Sequence, residues 1–298
     1  MELLIIGNGF DLNLNLDTSY ECFINSNHFK EVKNNELFRQ IRAKINIKNW
    51  IDLEVELKQY SKKLIQLSES GKIPGRTKED SILINSEKFK TEFRILKETL
   101  NNYLYFVEKN AIIDRNNIVV KNLKVMLERS SNNLTIVNFN YTNTLENFFD
   151  ENQNTKIFNI HGRLNNDIIF GTEDLNDEIH NDHSFILKSA APSFGQIYRL
   201  RNEISNFEKI YFFGYSFGET DFNYYKQYFE EIAISKSFLN KEIIFFFHGE
   251  SISDNTGAES IEFITKNFRK LLGSKLADFK LNCKFVTIPT GQLKSNII

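Results

Sequence analysis

The feature that most constrains this chain is a series of short, unbroken apolar runs, each stopped by glycine, asparagine or histidine. Leu3-Leu4-Ile5-Ile6 stops at Gly7, and Leu134-Thr135-Ile136-Val137 stops at Asn138-Phe139-Asn140. Lys156 to Ile160 stops at His161-Gly162, Ile210 to Phe213 at Gly214, and Ile243 to Phe247 at His248-Gly249, while Cys283 to Ile288 supplies a sixth run. An apolar run without polar alternation suits a strand buried on both faces, as in a parallel sheet. Segments of helical character lie between the runs, at Thr144 to Glu151, Phe194 to Phe207, Phe222 to Ile234 and Glu259 to Leu272. Strand, polar turn and helix in alternation predict an α/β protein with a Rossmann-like, doubly wound parallel sheet. In such sheets the ligand crevice lies beyond the carboxyl ends of the strands, so the residues that stop the runs are the candidates for function.

One stretch breaks the alternation. Between Cys22 and Glu128 no segment reads as a strand. Trp50, Leu53, Leu57, Tyr60, Leu64 and Leu67 recur at helical spacing, as do Phe89, Phe93, Leu96, Leu100, Tyr103 and Val107. The polar interval Ser68 to Asp80, with two glycines and Pro74, reads as the loop between two long helices. The expected organisation is therefore a Rossmann-like domain from residues 1–24 and 125–298, with an α-helical insertion, residues 25–124, between the first and second strands. Its apolar stripes read as core packing, with a dimer or coiled-coil face as the alternative.

Composition narrows the partners. With 37 basic and 39 acidic side chains the net charge is -2, which argues against a nucleic-acid backbone as the default partner, since that binding runs on surplus Lys and Arg. Cys22 and Cys283 are the only cysteines, too few and too far apart for a disulfide framework or a zinc pattern. The apolar opening is too short for a signal peptide, and no stretch reaches the ~20 apolar residues of a membrane span. A cytoplasmic protein that does not engage a membrane is the expectation. The 28 phenylalanines are read as a coding bias and carry no functional weight.

Gly7-Asn8-Gly9-Phe10-Asp11 follows the first run, where a glycine pair lets backbone turn tightly and approach a pyrophosphate. Leu12 stands where a full G-x-G-x-x-G fingerprint has its third glycine, so a plain turn competes with a binding loop. After the second run, Thr142 or Asn143 is placed to cap a helix, whereas Asn140, whose amide both donates and accepts, is the candidate ligand contact. His161 brings an imidazole suited to proton transfer to the third strand end, with Gly162 leaving space beside it. After the fourth, Gly214 and Ser216 would line the crevice, and Thr220 or Asp221 would cap the next helix.

Two alternatives compete on these residues. Gly214-x-Ser216-x-Gly218 matches the letters of a nucleophile elbow, but only His248 follows it, with too little chain between for the acid of a hydrolase triad. His180 and His183, with Glu173, Asp174, Asp177, Glu178 and Asp182, would make a metal cluster, but a solvated acidic loop is the preferred reading and no metal is expected. His28, His180 and His183 are all read as lying in exposed loops or helix.

Four ordered segments together resemble the AbiH-type bacteriophage abortive-infection family: residues 4–12, Asn140 to Glu146, Ile160-His161-Gly162, and Gly214 to Asp221. Trp50 and Glu54 look like a further family feature. That family is in turn similar to a distant branch of the sirtuin-like NAD-binding fold. The resemblance implies that Gly7, Asn8 and Gly9 hold phosphates, that Asn140 and the adjoining Tyr141 and Thr142 contact the nicotinamide ribose, and that His161-Gly162 acts near the ribose. The segment with Gly214 and Ser216 would hold the adenosine half or a phosphate, and Asp11 a ribose hydroxyl. Thr142 stands where sirtuin-like enzymes carry Asp, and the zinc-binding cysteines of deacylating sirtuins are missing, which speaks against deacylation.

The resemblance leads to the expectation of an antiphage effector that hydrolyses NAD at the nicotinamide–ribose bond, with Asn140 and His161 catalytic and Glu54 closing over the site. Such an enzyme must be restrained before infection, so a homo-oligomer, a regulatory protein or a phage trigger is expected to engage the insertion. A nucleotide-binding sensor without turnover is the rival, favoured by Thr142. A nuclease using the acidic loop from Glu173 to Asp182 is a third reading.

Overall fold

The computed structural model describes residues 1–45, 52–70, 77–130, 134–148, 155–173, 178–191, 204–215, 223–249 and 255–290. It separates into two compact units. The first comprises Met1–Leu16, Ala111–His161 and Gly195–Ile298, and the second Asp17–Asn110 and Gly162–Phe194.

The first unit is built on six parallel strands: β1 (Glu2–Ile6), β2 (Leu134–Asn138), β3 (Lys156–Asn159), β4 (Lys209–Phe213), β5 (Glu242–Phe247) and β6 (Lys284–Pro289). Their order is β3-β2-β1-β4-β5-β6, the Rossmann-like arrangement that the apolar runs predict. β1 lies at the centre, with Ile5 paired to Val137 on one side and Phe212 on the other. Leu3, Ile5 and Ile6 are fully buried, because a central parallel strand has both faces covered. The order reverses between β1 and β4, which places the switch point of the sheet beside Gly7 and Gly214.

Helices of this unit include α1 (Gly9–Asn13), α7 (Ile118–Ser130), α8 (Asn223–Ile234), α9 (Asn255–Leu272) and α10 (Leu276–Asn282). Much of the phenylalanine surplus fills the layer between them and the sheet. The rings of Phe212 and Phe245 stack across β4 and β5 at 4.6 Å, Phe268 of α9 meets Phe245 at 5.2 Å, and Phe229 of α8 meets Phe268 at 5.2 Å. The predicted helix at Thr144 to Glu151 is instead a 3-10 turn over Thr144–Phe148, with the remainder outside the described residues. Of Phe194 to Phe207, the described part holds a 3-10 turn at Ile204–Asn206.

The second unit contains α2 (Tyr20–Asn25), α3 (Asn27–Lys30), α4 (Glu36–Ile45), α5 (Leu53–Glu69) and α6 (Lys78–Lys109). Asp52 caps α5 through the amides of Glu54 and Val55, and Thr77 caps α6 through that of Asp80. Phe89, Phe93, Leu96, Leu100 and Tyr103 form the buried stripe of α6 that their spacing predicts. The α5 stripe is shorter than predicted. Leu53, Leu57 and Tyr60 are buried, but Leu67 is exposed and the helix buries Ser68 instead, which accepts from the Asn85 amide at 2.8 Å. Trp50 lies outside the described residues. Among the described residues no helix is long and apolar enough to cross a membrane.

Candidate functional site

Three strand ends of the sheet carry most of the residues that the sequence singles out. At the first, the Gly7 amide donates to the Phe213 carbonyl and the Gly9 amide to the Gly214 carbonyl, both at 2.9 Å. A Cβ on Gly9 would stand 2.5 Å from the Gly214 Cα, and Gly214 has φ 62°, a conformation that favours glycine. The glycines therefore let the ends of β1 and β4 touch, and two of the amides assigned to phosphate are spent on that contact. Asn8 is exposed on the turn.

Asp11, one turn further on, is only 1% exposed. Its Oδ2 lies 2.6 Å from the Thr142 hydroxyl and its Oδ1 2.9 Å from that of Thr144, while the two hydroxyl oxygens are 2.6 Å apart. This carboxyl ties α1 to the segment after β2.

At the end of β2, Asn138 does two things. Its Oδ1 accepts the Asn140 amide at 3.0 Å, a local turn typical of asparagine, and its Nδ2 donates to Asn159 Oδ1 at 2.9 Å, across to β3. Asn140 is thereby fixed with its side chain buried, and its Oδ1 has no hydrogen-bond partner among the described residues. A buried amide oxygen left so costs about 1–3 kcal/mol unless water or a ligand donates to it. Asn13, Asn101 and Asn122 also carry such oxygens, but on helices rather than at a strand's carboxyl end.

His161 ends β3 and is 5% exposed. Its ring stacks on half-buried Tyr141 at 5.6 Å and meets the Phe139 ring edge-on at 5.3 Å, so the residues on either side of Asn140 hold the imidazole. Phe139 in turn packs on Tyr215, after β4, at 4.7 Å. The sheet thus brings together Asn140, Tyr141, Thr142, His161 and Asp11 near the carboxyl ends of β1 to β3, with Gly214 at β4. Ser216 and Asp221 lie outside the described residues.

Gly162 opens the next segment of the second unit with φ 72°, and a side chain there would run into the Asp167 carbonyl. That segment corrects one expectation. His183 is not exposed: it is fully buried, with Nδ1 2.8 Å from the Ser61 hydroxyl and its ring against Phe89, and burial lowers its pKa to about 4. Glu178 of the acidic loop meets Lys58 at 2.7 Å and Lys62 at 2.8 Å, which hold its carboxyl down at about 2. Among the described residues no group of three His, Cys, Asp or Glu side chains is placed to hold a metal.

Glu54 is buried within the second unit. Its Oε2 pairs with Lys188 Nζ at 3.0 Å, and the Lys188 side chain is fully buried. Sequence reasoning missed Lys188, Asn138 and Asn159. Asn138 had a readable signal, Asn-x-Asn at a strand's carboxyl end; Asn159 and Lys188 had none, because their partners are 21 and 134 positions away.

A family model described as bacteriophage abortive infection AbiH matches residues 3–246. No curated protein and no solved structure matches the chain.

Proposed function

The chain belongs to the bacteriophage abortive infection family AbiH, and from that premise we propose that it is an antiphage effector that binds NAD and hydrolyses its nicotinamide–ribose bond. A part in abortive infection follows from the family. The ligand and the reaction rest on the site and on the resemblance to sirtuin-like NAD-consuming enzymes. The observation that carries the reading is the buried Asn140 oxygen without a partner, set between the two aromatic residues that hold His161. An acceptor in that position calls for a donor such as a ribose hydroxyl or an attacking water.

In this reading Asn140 Oδ1 accepts from the ribose or water, and His161 takes a proton as the water attacks the anomeric carbon. Bond breaking passes through an oxocarbenium-like state, as in other glycosidic cleavages. Positioned proton transfer contributes roughly 10²–10⁴-fold. The Gly7 and Gly9 amides are occupied, so the turn's share in binding falls to Asn8 and to the shape of the backbone. A homo-oligomer or regulatory protein restrains the activity until infection.

One observation favours the rival reading, a nucleotide sensor without turnover: both Asp11 oxygens are taken up by threonine hydroxyls rather than turned to a substrate. Incubation of the purified chain with NAD, with and without phage-infected extract, separates the two. Release of nicotinamide and ADP-ribose supports hydrolysis. If wild type releases neither, or His161→Ala releases as much, hydrolysis is wrong, and mass spectrometry of co-purified nucleotide then tests the sensor.

A further inference from the structure

Asn138 ends β2 and is only 2% exposed. Three of its hydrogen bonds run toward the residues that the proposed reaction uses. Its Oδ1 accepts the Asn140 amide at 3.0 Å, its Nδ2 donates to Asn159 Oδ1 at 2.9 Å, and its carbonyl accepts the Ile160 amide at 2.9 Å. Asn138 and Asn159 are register partners on parallel strands, so their side chains leave the same face of the sheet. A backbone amide only donates, so Oδ1 has to face Asn140, and Nδ2 is left to face β3. Leucine in this place would answer neither group, and a serine hydroxyl stops one bond short of both. The ring contacts run the same way, since Phe139 and Tyr141, on either side of Asn140, meet His161 at 5.3 Å and 5.6 Å.

We propose that Asn138 is a positioning residue that sets the spacing between Asn140 and His161, a role that rests on the assignment of those two side chains to NAD hydrolysis. One buried amide spans the ends of β2 and β3. It fixes the backbone of Asn140 on one side, and on the other the two residues that lead into His161. Asn140, which meets the ribose or the water, and the imidazole that takes the proton are thereby held at one separation. Asn138 works through these two groups and not by contact with the reacting atoms. A displacement of about 1 Å between reacting groups costs up to ~10²-fold in rate, which is the size of effect open to a residue of this kind.

The test joins NAD kinetics to amide hydrogen exchange on the full chain. Asn138→Ala should lower kcat for nicotinamide release by up to ~10²-fold with KM close to wild type. Spacing matters only while both groups are present, so adding Asn138→Ala to Asn140→Ala or to His161→Ala should cost little more. A merely structural loss multiplies through both double variants, and that result overturns the proposal. Without NAD, the Asn140 amide should exchange faster in Asn138→Ala. The amides of Phe139 and Ile160, bonded to the backbone oxygens of Ile6 and Asn138, should stay protected. An Asn140 amide that keeps its wild-type protection also overturns the proposal. Should Asn138→Ala fail to fold, Asn159→Ala removes the far end of the bridge on the edge strand β3, and the same non-additivity is expected. An Asn159→Ala chain with wild-type kcat contradicts the bridge. A wild-type chain that releases no nicotinamide overturns the hydrolysis reading instead, and the Asn140 amide then decides by itself whether Asn138 holds Asn140.

Discussion

The two units bury polar groups in different ways. In the helical unit, buried charges and hydroxyls pair across elements, Glu54 with Lys188, Tyr60 with Glu92 at 2.9 Å and Ser61 with His183, while Asn35, Ser86, Asn101 and His183 each keep one buried atom without a partner among the described residues. In the sheet unit, polar side chains gather at the carboxyl ends of the strands, and Asn140 keeps an oxygen unanswered among the described residues. Buried charge in the first case serves the fold, since an ion pair is expensive to break and adds little when replaced whole. A buried acceptor left open in the second is a cost to the fold, of the kind found where function sets the residue.

That contrast can be broken by substitution. The largest effect is expected from His161→Ala, which should lower nicotinamide release roughly 10²–10⁴-fold, measured as initial rate against NAD. Ser61→Ala, which touches the other buried histidine, should leave that rate near wild type. If both fall alike, the assignment of chemistry to the sheet unit fails.

Stability should respond in the opposite sense. Lys188→Ala strands the buried Glu54 carboxylate and is expected to cost about 3–5 kcal/mol in urea unfolding. The double replacement Glu54→Leu with Lys188→Met should recover most of the loss, because no charge is then left alone. A double variant no better than the single would mean that the pair does more than hold the fold.

A pH titration sharpens the same point. His183 has a folded pKa of about 4, below the ~6.5 of an unfolded chain, so the unfolded chain takes up the proton first. The neutral ring's contribution is complete above pH ~6.5 and is lost as pH falls toward 4, by at most about 3 kcal/mol. His183→Leu should flatten that acid slope; an unchanged slope assigns the acid loss to other groups.

The sheet was legible because its signal is local. Six apolar runs, each a few residues long, name the strands without reference to anything distant, and the residues stopping them fall where a parallel sheet collects its ligands. His161 and Asn140 stand out in the sequence for that reason. What could not be read depends on contacts across the sequence. The Asp11–Thr142 contact joins positions 131 apart, and Ser61–His183 positions 122 apart. The histidine looked exposed because Asn181-Asp182 beside it are polar, yet its own ring turns inward. The glycines of the first turn were legible as a need for close approach, but not that the approaching backbone is Gly214.

Asn140→Ala tests the account most directly, because it removes a side chain that the proposal assigns to the ligand rather than to the fold. Thermal unfolding with and without NAD reads both properties on one sample. The prediction is that Asn140→Ala unfolds within ~1 kcal/mol of wild type but loses the rise in midpoint that NAD gives the wild-type chain. An Asn140→Ala chain that NAD still stabilises as it does wild type, or a wild-type chain that NAD does not stabilise, would contradict the account.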